Sequence, residues 1–399
     1  MKRLLVLLLI LITVAGFAQD GEDQSDNQSS LVERYIANFR DANLRTKVGI
    51  LEASEEEALQ EMAPLYAEAL SYLVSNANDI RRDTTLQEMT DFVVEKVAEA
   101  EYAPAAEPLW QLFLNRQESL ARVSILQAIS ATGQENQQVV VNLNQWISDR
   151  NRLKAGGDDV DLQVFHQAVV TAGELGNASS YPVLLEARLQ QYSERISNSA
   201  VEAMQSLEGD EVQLAIDALA GRDPEEKMEA FSFLVRSGLY SAEEEPVIAQ
   251  AALNQALEAT VSEPTVTAEL RQLRYEAAQV IGDAGHSDAT RTMIRHFNQT
   301  VLEYDRGVTT RQRVLEAVAG LGAMDTDEAA VRLTDYLELL NTYTELDRPY
   351  DTEIVMAVIR NLERLGRPGS YNALFYCTLL DYPSRVKDAA REAMRAVSR

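Results

Sequence analysis

The side chains that usually carry chemistry are scarce in this chain. Its 399 residues include three His, one Cys and two Trp. His286 and His296 have no Cys or second His three or four residues on, the spacing that sets two metal ligands on one helix face. His166 sits in an apolar stretch. Gly285-His-Ser-Asp-Ala289 has the outline of a nucleophile elbow, but the closing Gly is missing and a helical pattern precedes it where the elbow needs a strand. Gly156-Gly157-Asp-Asp-Val-Asp161 is acidic without the register of a calcium loop. Neither G-x-x-x-x-G-K-[ST] nor G-x-G-x-x-G occurs. Acidic residues number 63, so pairs of them are uninformative. Glu55-Glu-Glu57 and Glu243-Glu-Glu245 read as helix starts, where negative charge suits the dipole. The residues predict no catalytic, metal-binding or cofactor site. Cys377 lies in the apolar run from Ala373 to Leu380 and reads as a buried thiol with no disulfide partner in the chain.

The elements that would position any site read as helices. Only 18 Gly and 10 Pro argue against a turn-rich β fold, and 46% hydrophobic residues are enough for a sizeable core. From Leu31 onward apolar residues recur at helical spacing, as in Ala58, Met62, Leu65, Leu70 and Leu73. The helices come in pairs, and the pairs repeat about every 40 residues. Glu174-Leu-Gly-Asn-Ala-Ser-Ser-Tyr181 matches Arg364-Leu-Gly-Arg-Pro-Gly-Ser-Tyr371. Further copies centre on Gly285 and Gly322, and weaker ones on Gly133 and Gly238. Each of Gly133, Gly176, Gly238, Gly285, Gly322 and Gly366 follows the last apolar turn of a helix, where a left-handed cap is expected. Pro182 and Pro246 fall near expected helix starts. One such pair cannot bury its apolar face alone, so neighbours must stack. The expected fold class is therefore all-α, an α-solenoid of stacked antiparallel helix pairs. The repeats are expected over 119–399, with Ser384 to Met394 in the closing cap. In 31–118 the Gly anchors vanish, which leaves divergent repeats or a separate bundle.

The pattern resembles HEAT repeats (armadillo-like), in particular the short bacterial kind of phycobilin-lyase-like proteins, whose first helix reads V-R-x-x-A-x-x-A-L-G-x-L-G. Leu273-Arg-Tyr-Glu-Ala-Ala-Gln-Val-Ile-Gly-Asp-Ala-Gly285 and Val314-Leu-Glu-Ala-Val-Ala-Gly-Leu-Gly322 carry the match. The resemblance implies a fold and assigns no activity. The His-Glu pairs of the HEAT-repeat iron hydroxylase are absent.

Three Asp-Arg pairs recur after second helices: Asp149-Arg150, Asp305-Arg306 and Asp347-Arg348. Loops of a solenoid align on one edge. With Tyr304 and Tyr350 these pairs are expected to form either a structural ladder between repeats or a partner-binding edge.

The first 18 residues, with Lys2 and Arg3 before an apolar run and small residues at Gly16 and Ala18, read as a signal peptide cut near Ala18-Gln19. Residues 19–30 contain no apolar residue and read as a disordered acidic linker. A net charge of −27 disfavours nucleic acid and suits a basic partner. No later stretch is long and apolar enough for stable membrane insertion. The expected product is an exported protein, periplasmic or secreted. Its expected function is that of a non-catalytic scaffold or adaptor holding a protein or peptide on its repeat surface. The alternative is an all-α toroid enzyme acting on envelope polysaccharide, which would need a central cleft with Trp or Tyr platforms and two carboxylates; Trp110 and Trp146, the only Trp, fall on helix faces expected to be core.

Overall fold

The computed structural model describes residues 22–259 and 264–398. The expected signal peptide, residues 1–18, lies outside them. Every element among the described residues is helical, with 21 α-helices and four short 3-10 turns. None of these helices is long and apolar enough to cross a membrane. The chain divides into two compact units, one ending at Leu207 and one beginning at Glu208.

The first unit holds α1 (Glu22–Asp41), α2 (Leu44–Ser54), α3 (Leu59–Ser75), α4 (Ala77–Ile80), α5 (Thr84–Glu99) and α6 (Ala106–Asn115). It continues with α7 (Ser119–Thr132), α8 (Gln137–Ala155), α9 (Leu162–Glu174), α10 (Tyr181–Leu189) and α11 (Glu194–Gln205). The odd-numbered helices from α1 to α11 each touch the next odd one, and α6, α8 and α10 do the same. The second unit holds α12 (Glu211–Ala220), α13 (Pro224–Arg236), α14 (Glu245–Glu258), α15 (Pro264–Ala284) and α16 (Thr290–Asp305). After these come α17 (Arg311–Ala323), α18 (Asp327–Glu345), α19 (Thr352–Leu365), α20 (Tyr371–Leu379) and α21 (Ser384–Val397). Odd helices from α13 to α21 touch one another in turn, as do even helices from α12 to α20. Each helix thus buries its apolar stripe against chain neighbours. The final helix, α21, packs Val386, Ala390, Ala393 and Val397 inward and leaves Arg385, Asp388, Arg391, Glu392 and Arg395 exposed.

Local chemistry sets the helix starts. Asp83, Asp161, Asp210 and Asp351 each accept hydrogen bonds from backbone N–H groups two or three residues on. Pro224, Pro182 and Pro246 stand in first turns, where the missing N–H has no partner to lose. Helix α1 begins at Glu22, within the stretch expected to be a linker.

The turn between paired helices is the recurring device. Gly176, Gly285 and Gly366 have φ of 66°, 62° and 63°. Two residues after each, a 3-10 turn opens the second helix: Ala178–Ser180, Ser287–Ala289 and Pro368–Ser370. Glu101 stands in the same place before the 3-10 turn Ala103–Ala105, with φ of 48°. Tyr102 N donates to Val97 O at 3.2 Å, just as His286 N donates to Ile281 O at 3.2 Å. The region without glycine anchors therefore contains the turn, built with Glu. A second left-handed turn follows α8, α16 and α18 at Gly157, Gly307 and Asp347.

A Cβ in the left-handed region costs about 1–2 kcal/mol, and glycine gives back part of that through unfolded-chain entropy. Glu101→Gly and Asp347→Gly are each expected to stabilise the protein by about 0.5–1 kcal/mol. Urea midpoints at unchanged slope would check this, and a fall in either midpoint would refute it.

Two anchors differ from expectation. Gly322 lies inside α17, where an added Cβ would collide with the Asn361 side chain of α19; the left-handed residue of that turn is Asp325, with φ of 51°. Gly133 caps α7 at φ of −99°, where an added Cβ would sit 2.8 Å from the Ile129 carbonyl oxygen and 3.3 Å from Leu175 Cδ2. Both glycines serve close packing. Gly238, after α13, is left-handed at 72° as expected.

Candidate functional site

The Asp-Arg pairs fall at three different structural positions. Asp149 and Arg150 lie inside α8, since no helix breaker occurs before Gly156-Gly157, and not in a loop as expected. Asp149 accepts hydrogen bonds from Gln145 at 2.8 Å and from Arg152, while the Arg150 guanidinium rests 4.8 Å from the Trp146 ring centre. Asp305 ends α16 and Arg306 caps it. Asp347 is itself the left-handed residue of the turn after α18, two places later than Asp305 relative to the turn at Gly307. The two pairs of the second unit are therefore out of register, and among the described residues no ion pair joins them.

The structure does collect Tyr304, Asp351 and Arg311. Arg311 pairs with Asp351 at 3.5 Å, and burial together with the Asp351 carboxylate raises the Tyr304 pKa. Burial also raises that of Asp305. Tyr350 meets Tyr382 edge to face at 5.0 Å, and Arg348 lies 5.9 Å from the Tyr343 ring. These contacts tie a loop to the helices beneath it.

The histidines are spread out. His166 Nε2 lies 3.1 Å from Ser199 Oγ, and His286 Nε2 lies 3.2 Å from Gln250 Oε1. His296 is 2% exposed, and burial, then Arg274 and Arg313, push its pKa down to about 3. No cluster of three His, Cys, Asp or Glu suited to a metal ion occurs among the described residues. Both Trp are buried in an aromatic series. Trp110 stacks on Phe113 at 5.0 Å, Phe113 meets Trp146 at 5.4 Å, Trp146 meets Phe165 at 6.4 Å, and Phe165 stacks on Tyr192 at 4.2 Å. Trp110 also contributes to the wall of an open pocket with Glu107, Gln111, Gln138 and Asn142.

The most distinctive surface is on α20. Ala373, Leu374 and Cys377 face the core. Cys377 Sγ donates to Asn341 Oδ1 at 3.0 Å, and Asn341 Nδ2 donates to the Ala373 carbonyl at 3.0 Å, which fixes α20 on α18. Burial pushes the Cys377 thiol up to about 12, so it stays protonated and closed to solvent.

The opposite face of α20 is also apolar. Tyr371, Phe375 and Leu379 are 41%, 46% and 63% exposed and lie four residues apart, on one stripe. The Tyr371 and Phe375 rings are parallel at 6.5 Å. Tyr376 is exposed beside them and is hydrogen-bonded to Glu345, which raises its pKa. The exposed face of α18, the next helix of the row, carries Val331, Asp335, Glu338 and Leu339. The available signal was a nine-residue helix whose only polar residues, Asn372 and Thr378, leave apolar side chains on more than one face.

Compared with protein-family models and with curated proteins, the chain matches none of them.

Proposed function

We propose that the protein is an exported adaptor, a non-catalytic HEAT-like solenoid that holds a protein partner on its helical surface. The neighbour-to-neighbour helix contacts and the recurring left-handed turn support a stacked repeat. The basic-then-apolar N-terminus supports export to the periplasm or beyond. One observation carries the binding role: the exposed stripe Tyr371, Phe375 and Leu379 on α20, flanked by acidic side chains of α18. Aromatic side chains that stay in water are the usual anchors of an interface. Asp335, Glu338 and Glu345, in a chain of net charge −27, favour a partner segment whose apolar side chains are flanked by Lys or Arg.

Phe375 is exposed, so Phe375→Glu leaves the fold intact. It is expected to weaken partner capture at least about tenfold, with helicity and melting unchanged. The assay is cross-linked pull-down of the tagged protein from its own cells across a salt series. Equal recovery of one stoichiometric partner by both proteins would remove α20 as the binding face.

A further inference from the structure

The even helices of the second unit meet one another at recurring places, counted from the left-handed residue before each. That residue is Gly285 for α16, Asp325 for α18 and Gly366 for α20. On α16 the fifth residue after it is Thr290 and the thirteenth is Asn298. Thr290 Oγ1 accepts from Thr326 Oγ1, at the start of α18, at 3.2 Å, and Asn298 Oδ1 accepts from Arg332 of α18 at 2.6 Å. On α18 the fifth residue is Ala330 and the ninth is Thr334, both buried. Thr334 Oγ1 lies 2.8 Å from Ser370 Oγ, in the turn that opens α20. Asn341, further along α18, donates to the Ala373 carbonyl of α20. The contacts ascend in both helices of each pair, so neighbours in the row run parallel. The first unit repeats the step, with Asn144 of α8 donating to Ser179 Oγ in the turn before α10 and Asn151 to the Val183 carbonyl. The stripe through the fifth, ninth and thirteenth places is thus the face on which the next even helix sits.

On α20 the same three places are held by Tyr371, Phe375 and Leu379, all exposed. Among the described residues no helix follows α20 in the even row. Helix α21, the last described helix of the odd row, carries Arg385, Asp388, Arg391, Glu392 and Arg395 on its exposed face. A helix row that ends in water needs an outer face of that polar kind. Helix α20 instead keeps three large apolar side chains where the helices before it receive a neighbour. A helix laid on α20 in the geometry of the row would meet this stripe with its own i, i+4 ridge. A second copy of the chain would bring a net charge of −27 against −27, which opposes that pairing.

We propose that the protein partner contributes an amphipathic α-helix, seated on Tyr371, Phe375 and Leu379 as the next member of the even row and parallel to α20. This rests on the reading of α20 as the binding face and adds the conformation and direction of the segment that binds there. The partner helix turns apolar side chains three or four residues apart toward α20 and keeps its other face polar.

The test places the photo-reactive residue benzoylphenylalanine at position 371, 375 or 379 of the full chain in its own cells. All three positions are exposed, so the replacements leave the core untouched. Mass spectrometry then maps the partner residue captured from each. Positions 371 and 379 lie about 12 Å apart along α20. A parallel helix is expected to give captures in ascending order, with about eight residues between those from 371 and 379. An extended segment would cover the same distance with about four residues. A synthetic peptide of the captured segment is then titrated onto the full chain. Proline in the middle of that peptide is expected to raise its Kd at least about tenfold, and alanine at the same place far less. A span of about four residues, a descending order, or binding indifferent to proline would overturn the helix and leave α20 as the binding face. Captures in this chain's own peptides would put a second copy in place of the partner and overturn the proposal. No capture from any of the three positions would remove the binding face, and the proposal with it.

Discussion

Replacing Glu303 by Ala is expected to destabilise the second unit by about 3–5 kcal/mol. Glu303, near the end of α16, is 12% exposed and accepts from buried Arg274, from Tyr275 Oη at 3.2 Å and from Gln299 at 3.1 Å. Arg271 stands 3.7 Å away. Without the carboxylate, the Arg274 guanidinium remains buried between α15 and α16 with no counter-charge. That loss exceeds the net value of the pair itself, because desolvation of both ions is already offset in the folded state. Glu303→Gln keeps hydrogen-bond acceptance and is expected to cost less. The double variant Arg274→Met with Glu303→Leu removes both charges and is expected to recover most of the stability. Urea unfolding measures the loss, and hydrogen exchange locates it to peptides of α15 to α17. A cost below ~1 kcal/mol for Glu303→Ala would mean that Arg274 reaches water.

Phe165→Ala is expected to cost the first unit about 3–5 kcal/mol. Phe165 of α9 is fully buried and sits between the rings of Trp146 and Tyr192. Its removal opens a cavity and breaks the aromatic series at its centre. Tyr192 is positioned from the other side by Asn151, whose Oδ1 accepts from its hydroxyl at 3.2 Å while its Nδ2 donates to the Val183 carbonyl at 3.0 Å. That network limits collapse into the space, which places the cost toward the upper end. Both Trp belong to this series, so tryptophan emission reports on it directly. The variant is expected to change emission before unfolding and to lower the urea midpoint by that reporter. Unchanged emission with a loss under ~1 kcal/mol would contradict the packing described.

The helical class and the paired turns were legible because their residues have few alternatives. Gly176, Gly285 and Gly366 take a left-handed backbone that penalises other residues, and Asp161 and Asp351 are strong N-caps. The same turn at Glu101 was hidden because the backbone there is left-handed without a glycine to announce it. Gly322 was misplaced for the converse reason: a glycine needed for the approach of Asn361 has the same spelling as one needed for a cap. Asp149-Arg150 looked like a loop pair because its composition matches Asp305-Arg306, although α8 runs on to Ala155. On α20, Leu374 and Cys377 are buried while Phe375, Tyr376 and Leu379 are exposed. Periodicity cannot assign an inner face to a helix that is apolar on both sides. A cavity beside His296 joins residues from four helices, and no local spacing connects Tyr275, His296, Arg313 and Arg364.

The most direct test of the adaptor account is photo-cross-linking from position 379 on α20, in the full chain expressed in its own cells. A second probe at position 392, on the exposed polar face of α21, serves as the reference. The account predicts one discrete adduct from position 379, with a partner peptide rich in Lys or Arg around apolar residues. It also predicts loss of that adduct with Phe375→Glu and its weakening at high salt. Equal cross-linking from positions 379 and 392, or an adduct untouched by Phe375→Glu, would contradict it.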